Sequence, residues 1–68
     1  MYDYSKLCGR IIEVCGSRRK FADAMGMSTT ALNNKLHNRK AWTQREIQKC
    51  CDTLGIGIRD IPVYFFTA

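Results

Sequence analysis

The sequence is poor in the residues from which metal sites, active sites and membrane spans are built. It holds one histidine (His37), one proline (Pro62) and one tryptophan (Trp42) in 68 residues. A lone histidine leaves no partner for a zinc site and no Ser/His/Asp set for nucleophilic catalysis. Paired carboxylates and a glycine-rich phosphate loop are missing too, so neither an enzyme nor a cofactor or small-molecule substrate is expected. No apolar run approaches the roughly 18 residues that cross a bilayer. The opening "MYDYSKLCGRII" lacks a basic start followed by an apolar stretch, so no signal peptide is expected and the expected location is the cytoplasm. Four cysteines are present, but Cys8 and Cys15 stand seven apart and Cys50 and Cys51 are adjacent. Neither spacing is the C-x-x-C of a zinc or redox motif. In a reducing cytosol they read as small apolar core residues, with a metal-held module the less favoured reading.

What remains is a short basic chain of helical periodicity. The length suits one domain, residues 1–68, and no linker, repeat or low-complexity tract divides it. The net charge of +5 is concentrated: Ser17 to Lys49 holds eight basic residues against Asp23 and Glu46, and the rest holds three basic and four acidic. Such a block points to a polyanionic partner, or to a solubilising surface.

The expected fold is all-α, a compact domain of four or five helices. The first runs from about Ser5 to Cys15, with Leu7, Cys8, Ile11, Val14 and Cys15 on its inner stripe and Gly16 as its stop. Ser17 caps a second helix with Phe21, Ala22 and Met25 inward, closed by Gly26. Met27 belongs inside the turn, and Ser28 caps a third helix that buries Leu32 and Leu36. In "WTQREI", Thr43 and Glu46 suit a capping box, with Trp42 and Ile47 placed for a hydrophobic staple. Ile47, Cys50, Cys51 and Leu54 then recur at helical spacing up to Gly55. The tail "IRDIPVYFFTA" suits one short closing helix with Pro62 in its first turn.

Two helices joined by "GMS" pack closely only where a contact residue is small, here Ala22, and where the turn tolerates a left-handed residue, here Gly26. That is a helix-turn-helix, whose second helix enters the DNA major groove. The face opposite Leu32 and Leu36 carries Thr30, Asn34 and His37, flanked by Asn33 and Asn38, with Thr29 at the tip. None of these is a strong helix former, so propensity does not explain them. Short amides and hydroxyls do suit base edges. Arg18, Arg19 and Lys20 meet the positive end of the second helix dipole. Exposed cations there cost about 0.3–1 kcal/mol each, unless a phosphate sits between them.

The stretch Arg18–His37, and "FADAMGMS" above all, resembles the helix-turn-helix of lambdoid phage repressors and Cro proteins. The family's apolar residue, then Ala, then Gly four residues later appear as Phe21, Ala22 and Gly26; an apolar position deeper in the next helix is Lys35 here, with Leu36 beside it. The opening "MYDYSKL" with "GRII", and the ending "DIP" with "YFF", are similar to short phage and prophage proteins, some described as Cro-like repressors. The resemblance implies a sequence-specific regulator that binds a double-stranded DNA operator as a homodimer. It assigns base reading chiefly to Thr29, Thr30 and Asn34, and Asn33 is the neighbouring amide. The phosphate-binding candidates are Ser17, Arg18, Arg19 and Lys20 on one side of the helix. On the other they are His37, Asn38, Arg39, Lys40 and Thr43, where the amides opening the fourth helix face the backbone. Trp42 reads as a staple or as a phosphate-contacting indole, and Ile47 favours the staple. Arg10 and Glu13 are spaced to pair, and Tyr2 and Tyr4 to pack on the C-terminal helix. Of Tyr64, Phe65 and Phe66, one or two should plug the core and the remainder form the dimer interface. The competing reading is a protein-binding module on the same scaffold, such as an antirepressor.

Overall fold

Each turn between helices is marked by a residue that ends one helix or caps the next, and together these residues set the architecture of the computed structural model, which describes all 68 residues. Five α-helices form, α1 (Ser5–Cys15), α2 (Arg18–Met25), α3 (Thr29–Leu36), α4 (Gln44–Leu54) and α5 (Ile61–Phe65), with a 3₁₀ turn at Ile58–Asp60 before the last. There is no strand. Ser17, Ser28 and Thr43 cap α2, α3 and α4, each side-chain oxygen accepting from the backbone N–H three residues on. Gly26 closes α2 with a φ of 71°, a left-handed conformation that costs a Cβ-bearing residue about 1–2 kcal/mol. Two long cations also reach the ends of helices. Lys49 Nζ donates to the Met25 carbonyl at 3.3 Å, and Arg10 Nε donates to the Leu54 carbonyl at 3.0 Å. Both sit where the helix dipole favours positive charge. Arg10 also pairs with Glu13 at 2.7 Å, as its spacing predicts.

The buried core is wholly apolar. Leu7 and Ile11 of α1 meet Phe21, Ala22 and Met25 of α2, Leu32 and Leu36 of α3, and Cys50, Cys51 and Leu54 of α4, with Tyr4, Ile56 and Phe65 closing it. α1 packs against α2, α4 and α5, while α2 lies between α3 and α4. Ala22 is almost wholly buried at the α2–α3 turn, the small contact that a short link requires. The four thiols are free. Burial, with Cys51 and Cys15 nearby, pushes the Cys50 thiol up to about 12, so it stays a neutral core residue.

One expectation needs correcting. Val14 is 45% exposed instead of lining the inner stripe. At 100° per residue it falls within roughly 20° of buried Leu7, but two turns further on, next to the end of α1, where it is left uncovered. The closing segment holds the expected short helix, α5, with Pro62 in its first turn, and a 3₁₀ turn leads into it.

An N-terminal strap, Met1 to Tyr4, runs beside the C-terminus. Asp3 N–H donates to the Thr67 carbonyl at 2.6 Å. Tyr2 meets Phe66 edge-on at 5.6 Å between ring centroids, and Tyr4 is buried. Tyr2 thus packs on the C-terminal segment, while the ring of Tyr4 meets Trp42.

Candidate nucleic-acid interface

Gly26, Met27 and Ser28 bring α2 and α3 together so that the head of α3 faces solvent. Thr29 and Thr30 are exposed there, while Leu32 and Leu36 on the opposite side are buried. Asn34 is half-buried. Its Oδ1 lies 3.5 Å from Arg39 Nη1, at the outer limit of a hydrogen bond, so the amide remains open to a stronger partner. Arg19 and Lys20 at the start of α2 are exposed and join neither of the two ion pairs in the molecule. No acidic residue lies in that first turn. Ser17 Oγ accepts from Lys20 N–H at 3.1 Å and keeps its own proton to donate.

The second cationic residue group is only partly what the sequence suggests. Arg39 and Lys40 are exposed, as is His37, the residue that ends α3. Asn38 is committed elsewhere. It is the one non-glycine residue with positive φ, 63°, a conformation asparagine tolerates just past a helix end. Its side chain holds the N-terminal strap from both sides: Tyr2 N–H donates to Oδ1 at 3.0 Å, and Nδ2 donates to the Tyr2 carbonyl at 2.8 Å. That removes Asn38 from the phosphate-binding set. The left-handed asparagine could be guessed from its place after the third helix; the strap it ties could not, because 36 residues separate the two.

Thr43 is tied to Glu46 through both its hydroxyl and its backbone. Its hydroxyl accepts from Glu46 N–H at 3.1 Å, and its own N–H donates to Glu46 Oε1 at 2.9 Å, completing the expected capping box. The same carboxylate oxygen lies 2.8 Å from Lys35 Nζ. The first turn of α4 therefore already holds an anion of its own. Burial alone would raise the Glu46 carboxyl, but hydrogen bonds from Lys35 and Thr43, with the Lys35 charge, outweigh it and hold the group below its ordinary range. This also explains Lys35 at a position where an apolar residue is expected. Its side chain is 12% exposed. Its ammonium donates to the Ala41 carbonyl at 3.1 Å and stands 5.9 Å from the centre of the Trp42 ring. The aliphatic stem takes the apolar place and the charge reaches past it.

Arg18 and Asn33 are joined. Arg18 Nη1 donates to Asn33 Oδ1 at 3.0 Å, and Nη2 donates to Cys8 Sγ at 3.4 Å. Arg18 thus bridges α2, α3 and α1 and does not project into solvent as Arg19 and Lys20 do. Trp42 belongs to the core side of its alternatives. Its ring packs edge-on against Phe65 at 5.3 Å and Tyr4 at 6.4 Å, and Nε1 is buried without a hydrogen-bond partner, out of reach of any phosphate. Phe65 is 1% exposed, so it serves the core and presents no surface for a dimer; Tyr64 is half-buried and Phe66 is 51% exposed. Met1, Tyr2, Trp42, Ile47 and Phe66 line an apolar groove of about 560 Å³ on this side, with Lys40 at its edge.

No helix is long and apolar enough to cross a membrane, and no group of three or more His, Cys, Asp or Glu side chains could hold a metal ion. No curated protein matches the chain. Among solved structures, it is similar to the solution structure of the modulator of repression of the temperate bacteriophage TP901-1 from Lactococcus lactis. The two are 45% identical, with a TM-score of 0.85 over 96% of this chain and 88% of that one. The family described as "Protein of unknown function (DUF739)" matches residues 1–68, and the chain belongs to it.

Proposed function

We propose that this chain is a phage gene regulator that sets its helix-turn-helix against operator DNA, the whole of residues 1–68 forming one DNA-binding domain. The observation that carries the reading is the pairing of exposed Thr29 and Thr30 at the head of α3 with Arg19 and Lys20, two exposed cations left without an acidic partner at the start of α2. Hydroxyls and a nearby open amide, Asn34, suit base edges, and the cations suit the phosphates on either side. Ser17 adds a hydroxyl donor, and Arg39, Lys40 and His37 supply the contacts beyond the C-terminus of α3. A homodimer on a two-fold operator would join through Phe66 and Tyr64 with exposed Val63. The relative's name, modulator of repression, agrees with a regulatory role.

A second reading has its own support. The solved relative is named for modulating repression, and here the first turn of α4 is closed by Glu46 where a phosphate would need free amides. Both fit a protein that acts on a repressor through this scaffold instead of on DNA. Selection from random duplexes separates the two. For the DNA reading, a defined operator should emerge. Asn34→Ala should cost about 1–3 kcal/mol at one base pair, whereas Arg19→Ala should weaken all duplexes alike and lower the salt slope by about one unit. A protein that ignores duplexes in dilute buffer yet binds the phage's own repressor would move the function to the second reading.

A further inference from the structure

We propose that a second copy of this chain docks on the groove between α4 and the start of α5, each copy placing Ile58 in the groove of the other and Arg59 against Asp52 of the other. The inference gives the homodimer of the DNA reading a contact surface, and rests on that reading to this extent. The groove encloses about 480 Å³. Ile47, Cys51, Ile56 and Ile61 supply its apolar lining, and Asp52 lines it from α4. Ile58, in the 3₁₀ turn, completes the lining while 83% exposed, so it stands at the rim and not on the floor. Only the N-terminal Met1 is a more exposed large apolar residue. A single exposed isoleucine is ordinary. One that borders a groove of its own chemistry makes a contiguous apolar patch, which marks an interface.

What selects a second copy over another partner is that the patch carries both halves of a contact. A two-fold dimer sets one surface against itself, so each knob must find its hole, and each charge its opposite, within the same patch. Ile58 is a knob beside an apolar hole. Arg59, the next residue, and Asp52 are both exposed, and neither joins an ion pair within the chain. Asp60 is exposed too, but it does not line the groove that Ile58 enters. A two-fold rotation that seats Ile58 therefore carries Arg59 towards Asp52 of the other copy, and symmetry makes the pair twice. Ile47 lines this groove and also the one bordered by Phe66, so the contact is continuous with the dimer surface already named. Thr29, Thr30, Asn34, Arg19 and Lys20 are not among the residues of either groove, so filling it takes nothing from the DNA face.

Sedimentation velocity over a series of protein concentrations at low ionic strength reads the monomer–dimer equilibrium without DNA. The samples are the wild type, Ile58→Ser, Asp52→Arg, Arg59→Asp and Phe66→Ser. The wild type should pass from monomer towards dimer as concentration rises. Ile58→Ser should weaken that association about tenfold or more, since two isoleucines leave each interface. Asp52→Arg and Arg59→Asp should each stay monomeric, because each sets like charges together twice. Mixed in equal amounts, these two variants should form a dimer, as both contacts then join an arginine to an aspartate. Such rescue requires a second copy as the partner, and it also shows both variants to be folded. A wild type that stays monomeric at every concentration would overturn the proposal. So would charge variants that dimerise alone as well as the wild type, or whose mixture fails to associate. A dimer lost in Phe66→Ser but kept in Ile58→Ser would place the interface on the other groove, again against the proposal. Operator binding by the wild type in any of these cases leaves the DNA reading standing. A dimer with the expected pattern that ignores every duplex would support the contact and overturn the DNA reading alone.

Discussion

The starts of α2 and α4 are built from the same local grammar and charged in opposite ways. Each is capped by a hydroxyl that accepts from the third residue of the helix, Ser17 from Lys20 and Thr43 from Glu46. At α4 the third residue is an acid that returns the hydrogen bond and pairs with Lys35, beside one exposed cation, Arg45, that has no such partner. At α2 the first three residues are Arg18, Arg19 and Lys20, with no acid among them. Only Arg18 finds an internal partner. A helix dipole that meets an anion is stabilised, and one that meets exposed cations is not. One helix start is arranged for the stability of this chain. The other leaves two exposed cations, Arg19 and Lys20, without an acidic partner.

That contrast fails if the α4 cluster contributes nothing. Glu46→Ala removes the reciprocal half of the capping box and leaves the Lys35 ammonium without its carboxylate, so it should cost about 1–2 kcal/mol in chemical denaturation. The same cluster should confer acid sensitivity. The Glu46 carboxyl is held below its ordinary value of 4.5, so its contribution is present above that pH and is lost as the pH falls through the lower folded value. Unfolding midpoints of the wild type should fall over that interval more steeply than those of Glu46→Ala. A variant as stable as the parent, with the same acid profile, would remove the distinction between the two ends.

The caps themselves give a smaller test, because here the two ends should agree. Thr43→Ala and Ser17→Ala each remove one side-chain acceptor and should each cost about 1 kcal/mol of stability. A difference in DNA affinity should appear only for Ser17→Ala, because the Glu46 carboxylate stands beside Thr43 and no acid stands in the first turn of α2. Equal losses of affinity would mean that the start of α4 also touches the ligand, despite its carboxylate.

What could be read beforehand follows the range of the interactions. Helix ends marked by Ser17, Gly26, Ser28, Thr43 and Gly55 rest on contacts within a few residues, and each stands where the sequence puts it. The inner faces of α2, α3 and α4 follow from spacing alone, while Val14 shows that spacing cannot say how far along a stripe the neighbours will cover it. The candidate site is less transparent. That Arg18, Asn38 and Thr43 have partners inside the molecule depends on pairings with Asn33, Tyr2 and Glu46, and only the last is local enough to be seen in the chain. Lys35 is the instructive residue. Read as a departure from an apolar pattern, it turns out to need Glu46, Ala41 and the Trp42 ring, all assembled by the α3–α4 turn.

The smallest effect on stability decides most about the comparison. Arg19→Glu and Lys20→Glu reverse charges that are exposed and unpaired, so no packing or ion pair is lost. Facing the positive end of α2, each acid should raise stability by about 0.3–1 kcal/mol, more at low salt than at high. For a surface kept only for solubility, such a gain would come without loss of binding to any partner. For a phosphate-facing helix start the same changes should abolish binding to all duplexes alike, since each replaces an attraction with a repulsion at the backbone. Stability rising while DNA affinity collapses is therefore the expected pair of results, read by thermal unfolding and a mobility shift on the same samples. If both quantities rise or stay level, the cations at α2 are an ordinary solvated surface, and the electrostatic difference between the two helix starts has no functional meaning.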